Sequence, residues 1–283
     1  MRLKGTRFAA LPLAIAALLA LGAGSAQAVS SAVAIKALNK QRIANGIPGG
    51  VRSVGSLARG CAKHNAYMER NGGVLTHFET KGRPGYSAAG EKAGRSSVLS
   101  YGGPAWRSVR SNPWETAPIH LAQLLAPSLA VSGYSEASGF GCAQTLASPR
   151  RPEPSATTVY TYPGDGASIY PSERAAEGPY TPGELIGIRG VTGPYLYVMA
   201  DGPDRYGLLA AQITNASLAT AGGEPVPVAT VDGTNPKLRG YIPPGGFVIP
   251  TTPLKRGATY NAAVTLTVGA EQVEHSWSFR TDG

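Results

Sequence analysis

Cysteine is nearly absent: 283 residues contain two, Cys61 and Cys142. So low a count excludes a disulfide-dense scaffold, and with no CxxC and only four histidines it also excludes zinc-finger ligand sets. The pair fits one bridge in an oxidising compartment or two separate buried thiols. Long apolar runs are also scarce. The stretch at 8–21 is shorter than the roughly 20 residues a membrane-spanning helix needs, and nothing later is longer, so no transmembrane segment is expected. The chain carries no Gly-x-Ser-x-Gly elbow, no His-Glu-x-x-His and no phosphate-binding glycine loop. Aromatics are only 7% and nowhere concentrated among basic residues, which argues against a nucleic-acid partner.

Glycine and proline, by contrast, are plentiful at 37 and 23. The opening "MRLKGTRFAALPLAIAALLALGAGSAQA" places Arg2, Lys4 and Arg7 before an apolar stretch and Ala26-Gln27-Ala28 after it. This pattern reads as a secretory signal over 1–28, cleaved near Ala28, and predicts a secreted or envelope-associated protein. No cysteine follows the small-residue motif, so a lipid anchor is not expected. The formal charge of +9 is unevenly spread: residues 29–155 hold 15 Lys and Arg against 6 Asp and Glu, and residues 156–283 hold 8 against 11. Outside a cell, a basic first half meets anionic envelope polymers or phospholipid surfaces; the plainer alternative is solvated arginine in a basic protein.

The composition breaks at "SPRRPEPSATT", where Pro149, Pro152 and Pro154 cannot continue a helix. This places a first domain at 29–147, a Pro-rich linker at 148–156 and a second domain at 157–283. The first reads as α+β. One helix presents Ile35, Leu38 and Ile43, a second presents Leu57, Cys61, His64 and Met68, and a short third presents Leu121, Leu124 and Leu125. "EASGFGCAQTLA" reads as strand, and "EKAGRSSVLS" is ambiguous. The second domain alternates in short segments broken by Pro, Gly and Asp, which predicts about seven strands in an all-β sandwich of immunoglobulin type.

The order of parts in the first domain resembles the CAP superfamily of cysteine-rich secretory, antigen 5 and pathogenesis-related proteins, in its bacterial form. The residues that carry it are "ALNKQRIANGIP", "SLARGCAKHNAYM", "LTH", "AAGEKAG" and "WETAPIHLAQLLAPSLAVSGYS", in that order. The resemblance implies an α-β-α sandwich whose central cleft takes a ligand and whose two histidines can hold a divalent metal such as zinc. Carried over by position, the cleft residues are His77, Glu91 and His120, with His77 and His120 as the metal pair. Lys92 stands where the family has Asn, and Ala117 where it has Ser. A fourth, acidic member has no clear counterpart, Glu115 and Glu79 being the candidates.

Without the resemblance each residue has an ordinary role: His77 would cap a loop, Glu91 would be a surface acid and His120 would satisfy its helix start. His64 falls on the apolar face of the second helix and reads as a packing residue, and His275 in "VEHSWSFR" as structural or solvated. The closing "PLKRGATYNAAVTLTVGAEQVEHSWSFRTDG" is similar to the last hairpin of bacterial immunoglobulin-like domains, which implies that Tyr260, Val264, Leu266, Trp277 and Phe279 are core. Three functions are then open. The first is a secreted binding module whose cleft takes a small apolar, lipid-like or cell-wall ligand. The second is a metal- or His-dependent hydrolase of peptide or ester bonds, with His77, Glu91 and His120 catalytic. The third is a structural protein with a vestigial cleft.

Overall fold

The computed structural model describes residues 28–268 and 271–283, so the signal-like segment lies almost wholly outside the described residues. Helix α1 (Ser31–Ala44) starts behind Ser30, whose hydroxyl accepts from the Val33 N–H. That is the ordinary reason a serine precedes an apolar-periodic run. β1 (Arg52–Ser53) leads into α2 (Gly55–Arg70), which ends at Asn71-Gly72-Gly73 with Gly72 and Gly73 at positive φ. The stretch that periodicity left ambiguous is both things: Ser87 caps α3 (Ala88–Arg95), and Ser97 begins β2 (Ser97–Tyr101). Then come α4 (Pro118–Leu125), β3 (Val131–Ser132), β4 (Tyr134–Ala137) and β5 (Phe140–Gln144).

β5 lies between β2 and β4, antiparallel to both, while β1 and β3 pair in parallel. α1 packs on this sheet through Ala34, Ile35 and Leu38, against Trp106, Trp114 and Tyr134, whose rings meet edge to face. Ile43, expected on the same face, is 65% exposed: it lies in the last turn, where Arg42 turns inward instead. In α2 Cys61, His64 and Met68 are buried, and Cys61 is bonded to Cys142 of β5. The bridge ties helix to sheet across an 81-residue separation.

The second part supplies eight strands. These are β6 (Thr158–Tyr162), β7 (Ser168–Ile169), β8 (Leu196–Asp201), β9 (Gln212–Thr220), β10 (Val228–Asp232), β11 (Gly245–Pro250), β12 (Thr259–Val268) and β13 (Glu271–Thr281). They form two four-stranded sheets, in the orders β10-β11-β8-β6 and β7-β13-β12-β9. Alternation along β12 buries Tyr260, Val264 and Leu266, and Trp277 and Phe279 of β13 join them. β8 and β11 are buried at every position, as strands covered on both faces must be.

What covers the outer face of that sheet is the first part of the chain. Ile47, Ile119, Leu121, Ala122 and Leu125 belong to the same apolar cluster as Leu196, Val198 and Phe247. α4 therefore shows Leu124 to its own domain and Leu121 and Leu125 to the other. The Pro-rich stretch is held as well: Arg150 bridges to Leu129, and Arg151 donates to the carbonyls of Leu129 and Gly49. The chain is thus a mixed α+β protein with a β-sandwich region, its two parts joined through a shared core. No described helix is long and apolar enough to cross a membrane.

Loop closure over so long a separation makes the Cys61–Cys142 bridge worth about 2–5 kcal/mol. Replacing both cysteines by alanine is expected to lower the thermal midpoint by at least several degrees, read by circular dichroism; an unchanged midpoint would show that the packing of α2 on β5 suffices.

Candidate functional site

Two glycines set the position of α3. A Cβ on Gly90 would come within 2.2 Å of Glu79 Oε1, and one on Gly94 within 2.4 Å of His64 Cε1 and 2.7 Å of the His77 carbonyl. Only hydrogen at these positions lets α3 lie against α2 and against the 76–79 segment. His64 is fully buried beneath it, with Nε2 2.7 Å from the Thr76 carbonyl and Nδ1 3.0 Å from Glu79 Oε1. A carbonyl only accepts, so Nε2 carries a proton and one further proton lies between Nδ1 and the carboxyl. Glu79 Oε2 also accepts from the Ser87 N–H. His64 is therefore a buried polar anchor for the 76–79 segment, not an apolar packing residue.

That anchored segment delivers His77. Its Nδ1 donates to the Gly94 carbonyl at 2.8 Å, which fixes the ring and leaves Nε2 as the free lone pair. Burial lowers its pKa; the bond to Gly94 opposes this, and His120 and His64 add to the lowering. Glu91 faces elsewhere. One oxygen accepts from the Glu79 N–H, and the other meets Arg95 Nε at 2.5 Å. Burial would raise its pKa, but the Glu79 N–H and the Arg95 guanidinium outweigh it and hold the carboxyl below the ordinary range. Glu91 is thus a brace for the His77 segment and does not line the groove that His77 enters.

His120 is placed by α4. Pro118 occupies the first turn, and Ala117 at the cap position offers no acceptor. Three donors at that end are instead taken by Glu177, from the segment after β7. Its carboxylate accepts from the Ile119 N–H at 3.0 Å, the His120 N–H at 3.3 Å and His120 Nδ1 at 2.8 Å. Anion and helix N-terminus attract each other, and the side chain is almost wholly buried. A backbone bond from Ala176 to Thr116 holds the segment alongside. His120, like His77, thus presents Nε2 with its Nδ1 proton committed, an arrangement that orients imidazoles for ligand or metal.

The two imidazoles line one groove of about 470 Å³ between the two parts of the chain. Phe78, Arg95 and Leu146 line it from the first part of the chain, and Tyr180, Lys237 and Tyr241 from the second. Arg95 lies 4.7 Å over the Phe78 ring and Lys237 5.3 Å from the centre of the Tyr180 ring. Among the described residues no group of three or more His, Cys, Asp or Glu converges as a metal site. His77 and His120 have suitable tautomers, but the donor count falls short of the three or four protein ligands of a resident zinc site.

Glu115 lies apart from the groove. It closes a buried network in which Gln41 Nε2 donates to it at 2.9 Å, Asn112 donates to Gln41 and Tyr162 donates to its other oxygen. Burial raises its pKa against the opposing bonds from Tyr162 and Gln41. His275 is on β13 beside Trp277, away from the groove. Glu177, Lys237 and Tyr241 had no signal in the sequence: they belong to the second part of the chain and reach the site only through domain packing.

No protein-family model and no curated protein matches the sequence. Among solved structures the chain is similar to PcoC, a methionine-rich copper resistance protein from Escherichia coli, at 12% identity. The match covers 47% of this chain and 99% of that one, with a TM-score of 0.27.

Two outcomes test the site. Glu177→Ala strands the first N–H groups of α4 and frees the His120 ring, which should cost about 2–3 kcal/mol. Denaturant unfolding reads the loss, and imidazole ¹⁵N shifts should report a changed His120 tautomer; unaltered shifts would mean that Glu177 does not set the ring. The second outcome concerns Glu173, buried near Glu115 and Glu177 and accepting from the Tyr195 N–H. Burial pushes its carboxyl up to about 8, the Tyr195 N–H opposing and the two other acids adding to the rise. The folded state then holds a proton that the unfolded state has released, so stability falls as pH rises between about 4.5 and 8 and levels off above. Glu173→Gln should flatten that slope in urea titrations at several pH values.

Proposed function

We propose that this chain is an exported CAP-superfamily protein with an immunoglobulin-like second domain, acting as a binding module for an envelope or cell-wall ligand. The observation that carries the reading is the pairing of His77 and His120 in one groove, each with Nδ1 anchored and Nε2 left for a ligand. The motif order of the first domain and its basic charge support the same assignment. A divalent ion such as zinc held by these two imidazoles would need ligand or water oxygens to complete its shell, and recognition does not require it. Hydrolysis is less well supported: the acid assigned as base, Glu91, is committed to the Glu79 N–H and Arg95.

Purified protein and a His77→Ala/His120→Ala variant, incubated with isolated cell-wall sacculi at low and high salt, test this. Binding that needs both histidines and releases no soluble fragments is the expected outcome. Histidine-dependent release would make the protein a hydrolase, and equal binding by both proteins would remove the groove from the function.

A further inference from the structure

The groove does not end at the imidazoles. Gln123, Leu146, Gly240 and Tyr241 also line a second cavity of about 260 Å³, which continues past Tyr241 toward Arg150, Glu153 and Arg205. The two cavities are therefore halves of one channel with Tyr241 at its waist. Tyr241 is 59% exposed and follows Gly240, whose φ of +80° is costly for a side-chain-bearing residue.

The far half contains an unused cation. Arg205 is satisfied by two bonds to Asp201, at 2.8 and 3.0 Å, with Glu153 3.9 Å away. Arg150 has no such counter-charge among the described residues. Its Nη1 is buried without a hydrogen-bond partner among the described residues. That nitrogen is closed to solvent, so what the cavity offers is the Arg150 side chain that lines it beside Arg205, a like charge that an incoming anion would offset. Arg95 and Lys237 line the near half, and Tyr241, Leu146 and Gln123 line both halves where they adjoin.

We infer that this channel is a tandem-subsite groove for a carboxylate-bearing glycan chain, with one sugar at His77 and His120, another stacked on Tyr241, and a carboxylate on Arg150. Aromatic faces suit the apolar faces of pyranose rings, Gln123 suits hydroxyls, and the guanidinium suits a carboxylate in bidentate fashion. The spacing of charge selects among polymers. A polyphosphate or nucleic-acid strand presents a charge at each unit and calls for a continuous cationic track. Here the cations sit only at the two ends, with Glu153 beside the far one. A lipid chain would leave Arg150 unpaired. The inference rests on the proposed binding role of the His77/His120 half and extends it.

Calorimetric titration of the purified protein with hyaluronan di-, tetra- and hexasaccharides, which carry a carboxylate only on alternate sugars, tests it. Affinity should rise about tenfold or more from di- to hexasaccharide, as expected if a second charged subsite is filled. Arg150→Gln should bring the hexasaccharide down to the disaccharide value while leaving the disaccharide unchanged. Arg150→Lys should recover part of the loss, and Tyr241→Ala, an exposed change that leaves the core intact, should also remove the length dependence. Equal affinity at all lengths, with disaccharide binding still dependent on the histidines, would overturn the extended groove and leave the binding role standing. Histidine-dependent sacculus binding with no hyaluronan-oligosaccharide binding would overturn the ligand class alone. Tighter binding of polyphosphate or oligo-dT than of the hyaluronan hexasaccharide would replace the glycan by a polyanion, and loss of all histidine dependence would remove both readings.

Discussion

The structure depends on how an eight-residue helix, too short to be stable alone, is held at both ends by side chains outside it. At the N-terminus of α4 the Glu177 carboxylate takes two backbone N–H groups and the His120 ring. At the C-terminus the Arg42 guanidinium donates to the Leu124 carbonyl at 2.7 Å, with bonds to Ala126 and Pro48 completing its set. The charges are placed as the helix dipole favours, anion first and cation last. Arg42 is fully buried with no carboxylate partner among the described residues, and burial, with Arg151 nearby, lowers its pKa to about 9. Helix carbonyls are what compensate that charge. α4 is consequently rigid, and the residue at its third position, His120, inherits that rigidity.

The second histidine is held by a different device, close approach. Gly90 and Gly94, one helical turn apart, let α3 approach within contact of Glu79, His64 and the His77 backbone. Alanine has the better helix propensity by about 1 kcal/mol, yet a Cβ at Gly94 would meet a buried ring and a backbone carbonyl at under 3 Å. Sterics therefore outweigh propensity here. The buried His64–Glu79 pair then fixes the 76–79 segment, and Glu91 braces it from the other side. Acids on both sides of the groove are spent holding imidazoles or the segments that carry them, which fixes both rings in place.

Local chemistry accounts for what was legible in the sequence. Apolar periodicity located α1, α2 and α4; alternation located β12 and β13, and the resemblance of the closing hairpin implied the buried Tyr260, Val264, Leu266, Trp277 and Phe279. The Ser87 cap and the two glycines explain why one ambiguous stretch divides into α3 and β2. Ile43 was misplaced because a 3.6-residue period cannot foresee that Arg42 would be drawn inward by carbonyls of α4, far along the chain. His64 was misjudged for the same reason, since its apolar-face position says nothing of the carboxyl and carbonyl that meet it. His77 and His120 were found through motif order, whereas Glu177 lies 57 residues from His120 in a segment with no pattern of its own.

That last miss follows from the nature of the interface. Had the Pro-rich stretch at 148–156 been a free spacer, the groove would have had one wall and His120 no Nδ1 partner. Instead Arg151 binds it down and the outer face of β8 and β11 is covered by Leu121 and Leu125. Burying that face fixes the orientation of the two parts, because apolar surface on both sides is removed from water in only one arrangement. The same arrangement carries Glu177 to the start of α4 and Lys237, Tyr180 and Tyr241 to the rim. The second domain is thus a structural component of the site, and a fragment containing the first domain alone would lack the group that orients one of its two imidazoles.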